Sequence, residues 1–106
     1  MTEHEISILK NNGWYIDNLS GESKLIKHDT SNGFTCQIEI SSSESLLSVV
    51  REVYHKFDEQ RYVEDWQEWI RENPSCWHPK SELELSAREQ RQAINKLLDS
   101  LLQLSA

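Results

Sequence analysis

The chain has 106 residues, enough for one domain and too few for two. It is 37% hydrophobic and 27% charged, with a formal net charge of −7. That balance counts against unassisted binding to DNA, RNA or an anionic membrane surface, where affinity rests on Lys and Arg. It suits an acidic surface drawn to a basic partner, although acid also serves simply to keep a small protein in solution.

The first ten residues, MTEHEISILK, carry neither the basic segment nor the apolar run of a secretory signal. No stretch approaches the roughly 20 apolar residues of a membrane span. The expectation is a cytoplasmic protein of the host cell, with Cys36 and Cys76 as free thiols. Residues 3–11 are predicted to form a short helix with Ile6, Ile8 and Leu9 as its apolar side, ended by Asn11-Asn12-Gly13. Trp14 to Asp17 reads as a strand, Ser20-Gly21-Glu22 as a turn, and Lys24 to His28 as a second strand. Asn32-Gly33 is a hairpin signal. Beyond it Phe34, Cys36, Ile38 and Ile40 alternate with Thr35, Gln37 and Glu39, the clearest strand pattern in the chain and one that makes Cys36 a core residue.

At Ser41 the period changes. Ser41 and Glu44 have capping-box spacing, and Leu46, Leu47, Val50, Val53, Tyr54 and Phe57 recur at helical intervals. Asp58 is placed to cap a second helix with Tyr62, Val63, Trp66, Trp69 and Ile70 as its apolar stripe, which Asn73-Pro74 ends. Residues 74–79 form a loop between two prolines. Trp77 is expected to be buried and to pin this loop onto the helices, with Cys76 and His78 flanking it. Capping-box spacing recurs at Ser81/Glu84 and Ser86/Glu89. It predicts one helical turn near 80–85 and a separate helix from about 86 to 104, buried through Ile94, Leu97, Leu98, Leu101 and Leu102. The expected fold class is α+β: a small antiparallel three-stranded meander near the N-terminus, then about three helices packed on one face, in a single domain spanning 1–106.

Few motifs carry chemistry. Neither GxxxxGK[ST] nor GxGxxG is present, and the three glycines stand at turn-like places, which argues against nucleotide binding by a Gly-rich loop. There is no CxxC pair. Cys76 and His78 could supply two metal ligands, with His55 or Cys36 brought in by the fold, or a cysteine could pair with His55 or His78 as nucleophile and base. Any chain with two Cys and four His offers such combinations, so no catalytic residue, cofactor or metal is expected.

The acidic residues are more informative. Residues 58–72 hold Asp58, Glu59, Glu64, Asp65, Glu68 and Glu72 against Arg61 and Arg71, a net −4 of the chain's −7. On a helical wheel Tyr62, Trp66, Trp69 and Ile70 gather on one side, while Glu64, Asp65, Glu68 and Glu72 fall on the others. The aromatic half reads as core, since Trp offers more area to bury than any other side chain. The acidic half is a ridge of carboxylates on a rigid support, either a solvated face or a surface for a cationic groove.

Over residues 46–104 an amphipathic segment is followed by Phe57-Asp58, Trp66, Pro74 or Pro79, Glu82-Leu83 and the leucine helix from Leu97 to Leu102. In that order and type the second half resembles a loose family of small acidic proteins of gut-type bacteria, their phages and mobile elements. The loop NPSCWHP departs from the pattern in having no glycine. The resemblance brings no catalytic residues. It implies a phage or mobile-element setting, in which small acidic single-domain proteins often bind and block a host factor. Anti-CRISPR proteins are such a group, and several present carboxylates to the cationic nucleic-acid channel of a Cas effector. The resulting expectation is an inhibitor of a host nucleic-acid-handling complex. Its partner is a host protein with a basic nucleic-acid-binding surface, with no direct contact to nucleic acid or membrane. The candidate partner-binding residues are Asp58, Glu59, Glu64, Asp65, Glu68 and Glu72. The alternatives are a non-catalytic accessory or structural protein of a mobile element, as monomer or dimer, and a small metal-binding protein using Cys76 and His78.

Overall fold

The computed structural model of the chain describes residues 1–18 and 23–105. Helix α1 (Glu3–Asn11) leads into strands β1 (Tyr15–Asn18), β2 (Ser23–Asp29) and β3 (Thr35–Ser41). Helices α2 (Leu46–Lys56), α3 (Glu59–Glu72) and α4 (Lys80–Ser105) follow, with a 3-10 turn, Pro74–Cys76, between the last two. The architecture is the expected α+β, a three-stranded antiparallel sheet in the order β1-β2-β3 followed by helices. The predicted turn Ser20-Gly21-Glu22 lies outside the described residues.

Each start and stop has a local cause. A capping box that the sequence reading missed opens α1: the Thr2 hydroxyl accepts from the Glu5 N–H (3.2 Å) and the Glu5 carboxylate from the Thr2 N–H (2.8 Å). Gly13, at φ +83°, takes the left-handed conformation that lets the chain leave α1 and enter the sheet. A Cβ there would stand 3.1 Å from Nε2 of His28. In the β2–β3 connection Gly33 plays the same part at φ +90°, and the Thr30 hydroxyl accepts from the Phe34 N–H (3.0 Å).

The register pairs Ile16 with Ile26 and Ile26 with Ile38, so three isoleucines form one row across the inner face. Cys36, Ile38 and Ile40 point inward along β3 while Gln37 and Glu39 are exposed, as the alternation predicts. On the outer face Asp29 accepts from Tyr15 (3.0 Å) and Thr35 (2.9 Å), and Lys27 bonds Asp17 (2.9 Å).

The capping expectations need three corrections. Ser45, not Ser41, caps α2, its hydroxyl accepting from the Ser48 N–H (3.1 Å). Ser41 instead donates its N–H to the Glu44 carboxylate (3.0 Å), and those bonds hold the Glu44 carboxyl below its ordinary pKa. This tie is therefore complete above the usual glutamate range and lost as pH falls through the depressed value. Third, α4 is one helix from Lys80, with no break before Ser86. Ser86 is buried, its hydroxyl 2.9 Å from the Tyr62 hydroxyl and accepting from Gln90 Nε2 (3.2 Å). Glu89 reaches out to the hairpin, accepting from the Ser31 hydroxyl (2.6 Å) and N–H (3.0 Å). Both residues of the apparent capping box are thus engaged in tertiary contacts inside a continuous helix.

Two apolar clusters result. The larger joins the inner sheet face, Leu9, Trp14, and Leu46, Val49 and Val50 of α2 to Ala93, Ile94, Leu97, Leu98 and Leu101 of α4. The smaller joins Phe34, Val63 and Ile70 to Leu83 and Ala87 near the start of α4. Tyr54 and Leu102, expected in the stripes, stand at the surface instead, Leu102 39% exposed. Val49 takes the inward place on α2 that the reading left open.

Ile38→Ala should lower the unfolding free energy by about 2–5 kcal/mol, because Ile38 fills the middle of the larger cluster. Gln37→Ala, on the outward side of the same strand, should stay within about 0.5 kcal/mol. Urea titrations of both variants measure the difference as a shift in midpoint at constant slope.

Candidate partner-binding face of helix α3

Helix α3 is fixed at both ends. The Asp58 carboxylate accepts from the Arg61 N–H (3.2 Å), as an N-cap does. Asn73 closes the other end, its N–H and its side-chain amide both donating to the Trp69 carbonyl at 3.0 Å. Pro74 then stops the helix, as the sequence predicts. Val63 and Ile70 set the inward direction, and the Tyr62 hydroxyl reaches Ser86 and accepts from Gln90 (3.0 Å). Backbone and core together leave α3 little freedom to tilt.

This frame sorts the six candidate acids into two groups. Asp58 and Glu59 belong to the start of the helix. Asp58 caps it, and Glu59 is half-buried with its carboxylate 3.9 Å from Nε of Arg91. Arg91 in turn donates to the Phe57 carbonyl and sets its guanidinium 5.4 Å from the Phe57 ring centre. Glu64, Asp65, Glu68 and Glu72 are all exposed. Glu64 accepts from Gln60 Nε2 (3.1 Å), and Asp65 stands 3.9 Å from Nε of Arg61, an exposed pair. Glu68 and Glu72 have no cationic partner among the described residues.

Beyond the weak i,i+4 contacts of Glu64 and Asp65, this second group gives nothing to the helix that carries it. Glu64, Glu68 and Glu72 succeed one another at four-residue intervals, where like charges destabilise an isolated helix by about 0.2–0.5 kcal/mol per pair. Glu72 also lies in the last turn, at the negative end of the helix dipole, where an acid is unfavourable by about 0.3–1 kcal/mol. Arg71 is the only base in that last turn.

The aromatic residues behave differently from expectation. Trp66 is half-buried, its ring edge-on to Phe34 at 5.1 Å and 83°. Trp69 was expected in the core but is 45% exposed. It lies about 100° around the helix from Ile70, past the edge of the buried stripe. The two indoles meet at 5.5 Å and 79°.

Trp77 also contradicts its reading. It is 68% exposed and anchors nothing. The 3-10 turn ends at Cys76 and Trp77 is extended, so neighbouring side chains point to opposite sides. His78 is the residue turned inward, 4.9 Å from the Phe34 ring and 6.3 Å from Trp66, with Nδ1 3.3 Å from a Glu82 carboxylate oxygen. The loop is therefore pinned by a histidine flanked by an exposed tryptophan and an exposed cysteine.

The metal and nucleophile alternatives gain no support from these positions. Among the described residues no three His, Cys, Asp or Glu side chains gather as a metal site would need. Burial pushes the Cys36 thiol up to about 12, far from the thiolate a nucleophile requires. Nor is any helix among the described residues long and apolar enough to cross a membrane. No protein-family model, curated protein or solved structure matches the chain.

Two outcomes follow from the thiols and the loop. At pH 8 a soluble disulfide reagent should modify Cys76 in the folded protein and Cys36 only after denaturant is added, counted by released chromophore. Trp77→Ala should change stability by less than about 0.5 kcal/mol, whereas His78→Ala should lose at least the aromatic contribution of about 0.5–1.5 kcal/mol. Thermal and urea unfolding of the two variants distinguish them.

Proposed function

We propose that this protein is a non-catalytic inhibitor that binds a host nucleic-acid-handling protein through the outer face of α3. The carboxylates take the place of phosphates on a Lys- and Arg-lined surface, as anti-CRISPR-like proteins do at the channel of a Cas effector. The observation that carries this reading is the exposed row Glu64, Glu68 and Glu72, with Asp65 beside it. It stands on a helix fixed at both ends, and its spacing and position disfavour that helix. Residues kept against the interest of the local fold are candidates for contact with something else. Asp58 and Glu59 support the row rather than join it.

One exposed carboxylate contributes only about 0–1 kcal/mol to such an encounter. A row of them steers association and fixes register, and gains further when the partner excludes water. The row repeats every four residues, a rise of about 6 Å, so its carboxylates can meet successive cations along such a surface.

Glu64, Glu68 and Glu72 changed together to Gln should leave the fold intact, with thermal stability equal to or slightly above that of the parent. A pull-down from nuclease-treated host lysate supplies the partner, and binding of parent and variant to it is then measured across a salt series. The variant should bind more weakly. Parental binding should fall as the Debye length shrinks from about 10 Å at 0.1 M to about 3 Å at 1 M salt. A folded variant that binds as tightly as the parent at every salt concentration sinks the proposal and leaves the row a solvated face.

A further inference from the structure

Beside the carboxylate row, α3 carries a second feature of a different kind. The Trp66 and Trp69 rings pack edge to face, their centroids 5.5 Å apart and their planes at 79°. With Asp65 they line a shallow, largely open depression of about 290 Å³. Trp66 is held from behind by Phe34, so that ring is fixed. Trp69 is the free ring, 45% exposed although its indole is among the largest apolar groups in the chain. A tryptophan at this edge gains less from burial than one in the stripe, and nothing in α3 requires an aromatic there.

The exposed indole of Trp69, with the Asp65 carboxylate one helical turn before it, makes a receptor for a cation carried on a flat or alkyl stem. Each ring face is negative and attracts a guanidinium or ammonium, indole most strongly of the aromatic side chains. Asp65 supplies the full charge, and its one nearby cation, Arg61, is exposed and 3.9 Å away, so it is readily exchanged for another. The pocket is too small and shallow for most cofactors and of a size for one long side chain.

We propose that the Trp66–Trp69 corner is a docking site for a single arginine side chain of the partner protein, stacked on Trp69 with its guanidinium turned to Asp65. The proposal rests on the reading of α3 as the partner-binding element and adds the residue chemistry that α3 selects. Arginine is favoured over lysine because its planar, weakly hydrated guanidinium both stacks on an indole and meets a carboxylate in bidentate fashion. The carboxylate row alone gives attraction without choice between the two bases. The corner supplies the choice.

The test uses the full-length protein and three capped tetrapeptides: tetra-arginine, tetra-lysine and tetra-citrulline, the last a neutral counterpart of the first. Indole N–H signals are followed by NMR during titration, and affinities come from the same titrations. Tetra-arginine should move the Trp66 and Trp69 signals most, tetra-lysine less and tetra-citrulline least. Trp69→Ala should weaken tetra-arginine binding by about two- to fivefold, the range expected of an exposed cation–π contact. Trp69→Phe should recover part of that loss, and Asp65→Asn should weaken binding with the indoles in place. Circular dichroism confirms that each variant is folded.

Equal binding of tetra-citrulline, or unaltered binding by folded Trp69→Ala, overturns the proposal. So does concentration-dependent dimerisation without peptide that Trp69→Ala abolishes, since the corner would then receive a second copy of the chain. The Glu64, Glu68 and Glu72 variant keeps Trp66, Trp69 and Asp65. Its titrations therefore test the corner even where the carboxylate row proves to be idle.

Discussion

The buried stripe of α4 is shared by nearly every other element. At 26 residues the helix runs about 39 Å, close to the 43 Å long axis of the molecule. Its first turns close the smaller cluster with Leu83 and Ala87, and its last turns close the larger one from Ala93 to Leu101. Neither cluster is complete without it. Each buried leucine on that stripe contributes about 1.5–3 kcal/mol relative to exposure, and Leu83 and Leu97 are fully covered. The β2–β3 hairpin is tied to the same helix at its tip, Asn32 donating to the Glu82 carbonyl (2.8 Å) and Ser31 to Glu89. The sheet and α3 thus take their relative placement from a common support.

That dependence explains what could and could not be read from the sequence. Strand β3 was legible because one face is buried and one is wet, so burial copies the alternation directly into residue type. The start of α3 at Asp58 and its stop at Asn73-Pro74 were legible because both are decided within a few residues. The apparent break in α4 was misread because Ser86 and Glu89 have cap chemistry, yet their partners, Tyr62 and Ser31, lie far away in sequence. Trp69 and Trp77 were misread for a related reason. Hydrophobicity says that an indole gains by burial, but a stripe of limited width has room for only some of them. Which tryptophan is left outside depends on helix phase and on the direction of a three-residue turn, and residue type carries neither. Among the six acids, the sequence located all of them on one helix. It marked Asp58 as the cap of that helix but did not set Glu59 apart from the four that face solvent, because that depends on Arg91 of α4.

The exposed side of α3 combines features that folding does not demand. A solvated face needs charge, but not three acids in one row that runs to the negative end of a dipole. A thin core needs indoles inside, but Trp69 stands half outside, next to Asp65. Charge gives long-range attraction and the aromatic corner gives short-range selection, and the two act at different stages of an encounter. Their adjacency on one rigid helix lets a single partner surface meet both.

The hydrogen-bonded group of Tyr62, Ser86 and Gln90 lies where the apolar stripe of α4 passes from one cluster to the other. The two clusters are joined there by the backbone of α4, by this polar joint and, beside it, by the Phe57–Tyr62 ring contact at 6.2 Å. Loss of any member of the joint leaves a polar partner unsatisfied between the two clusters, so the seat of α3 depends on these three polar groups as well as on apolar area.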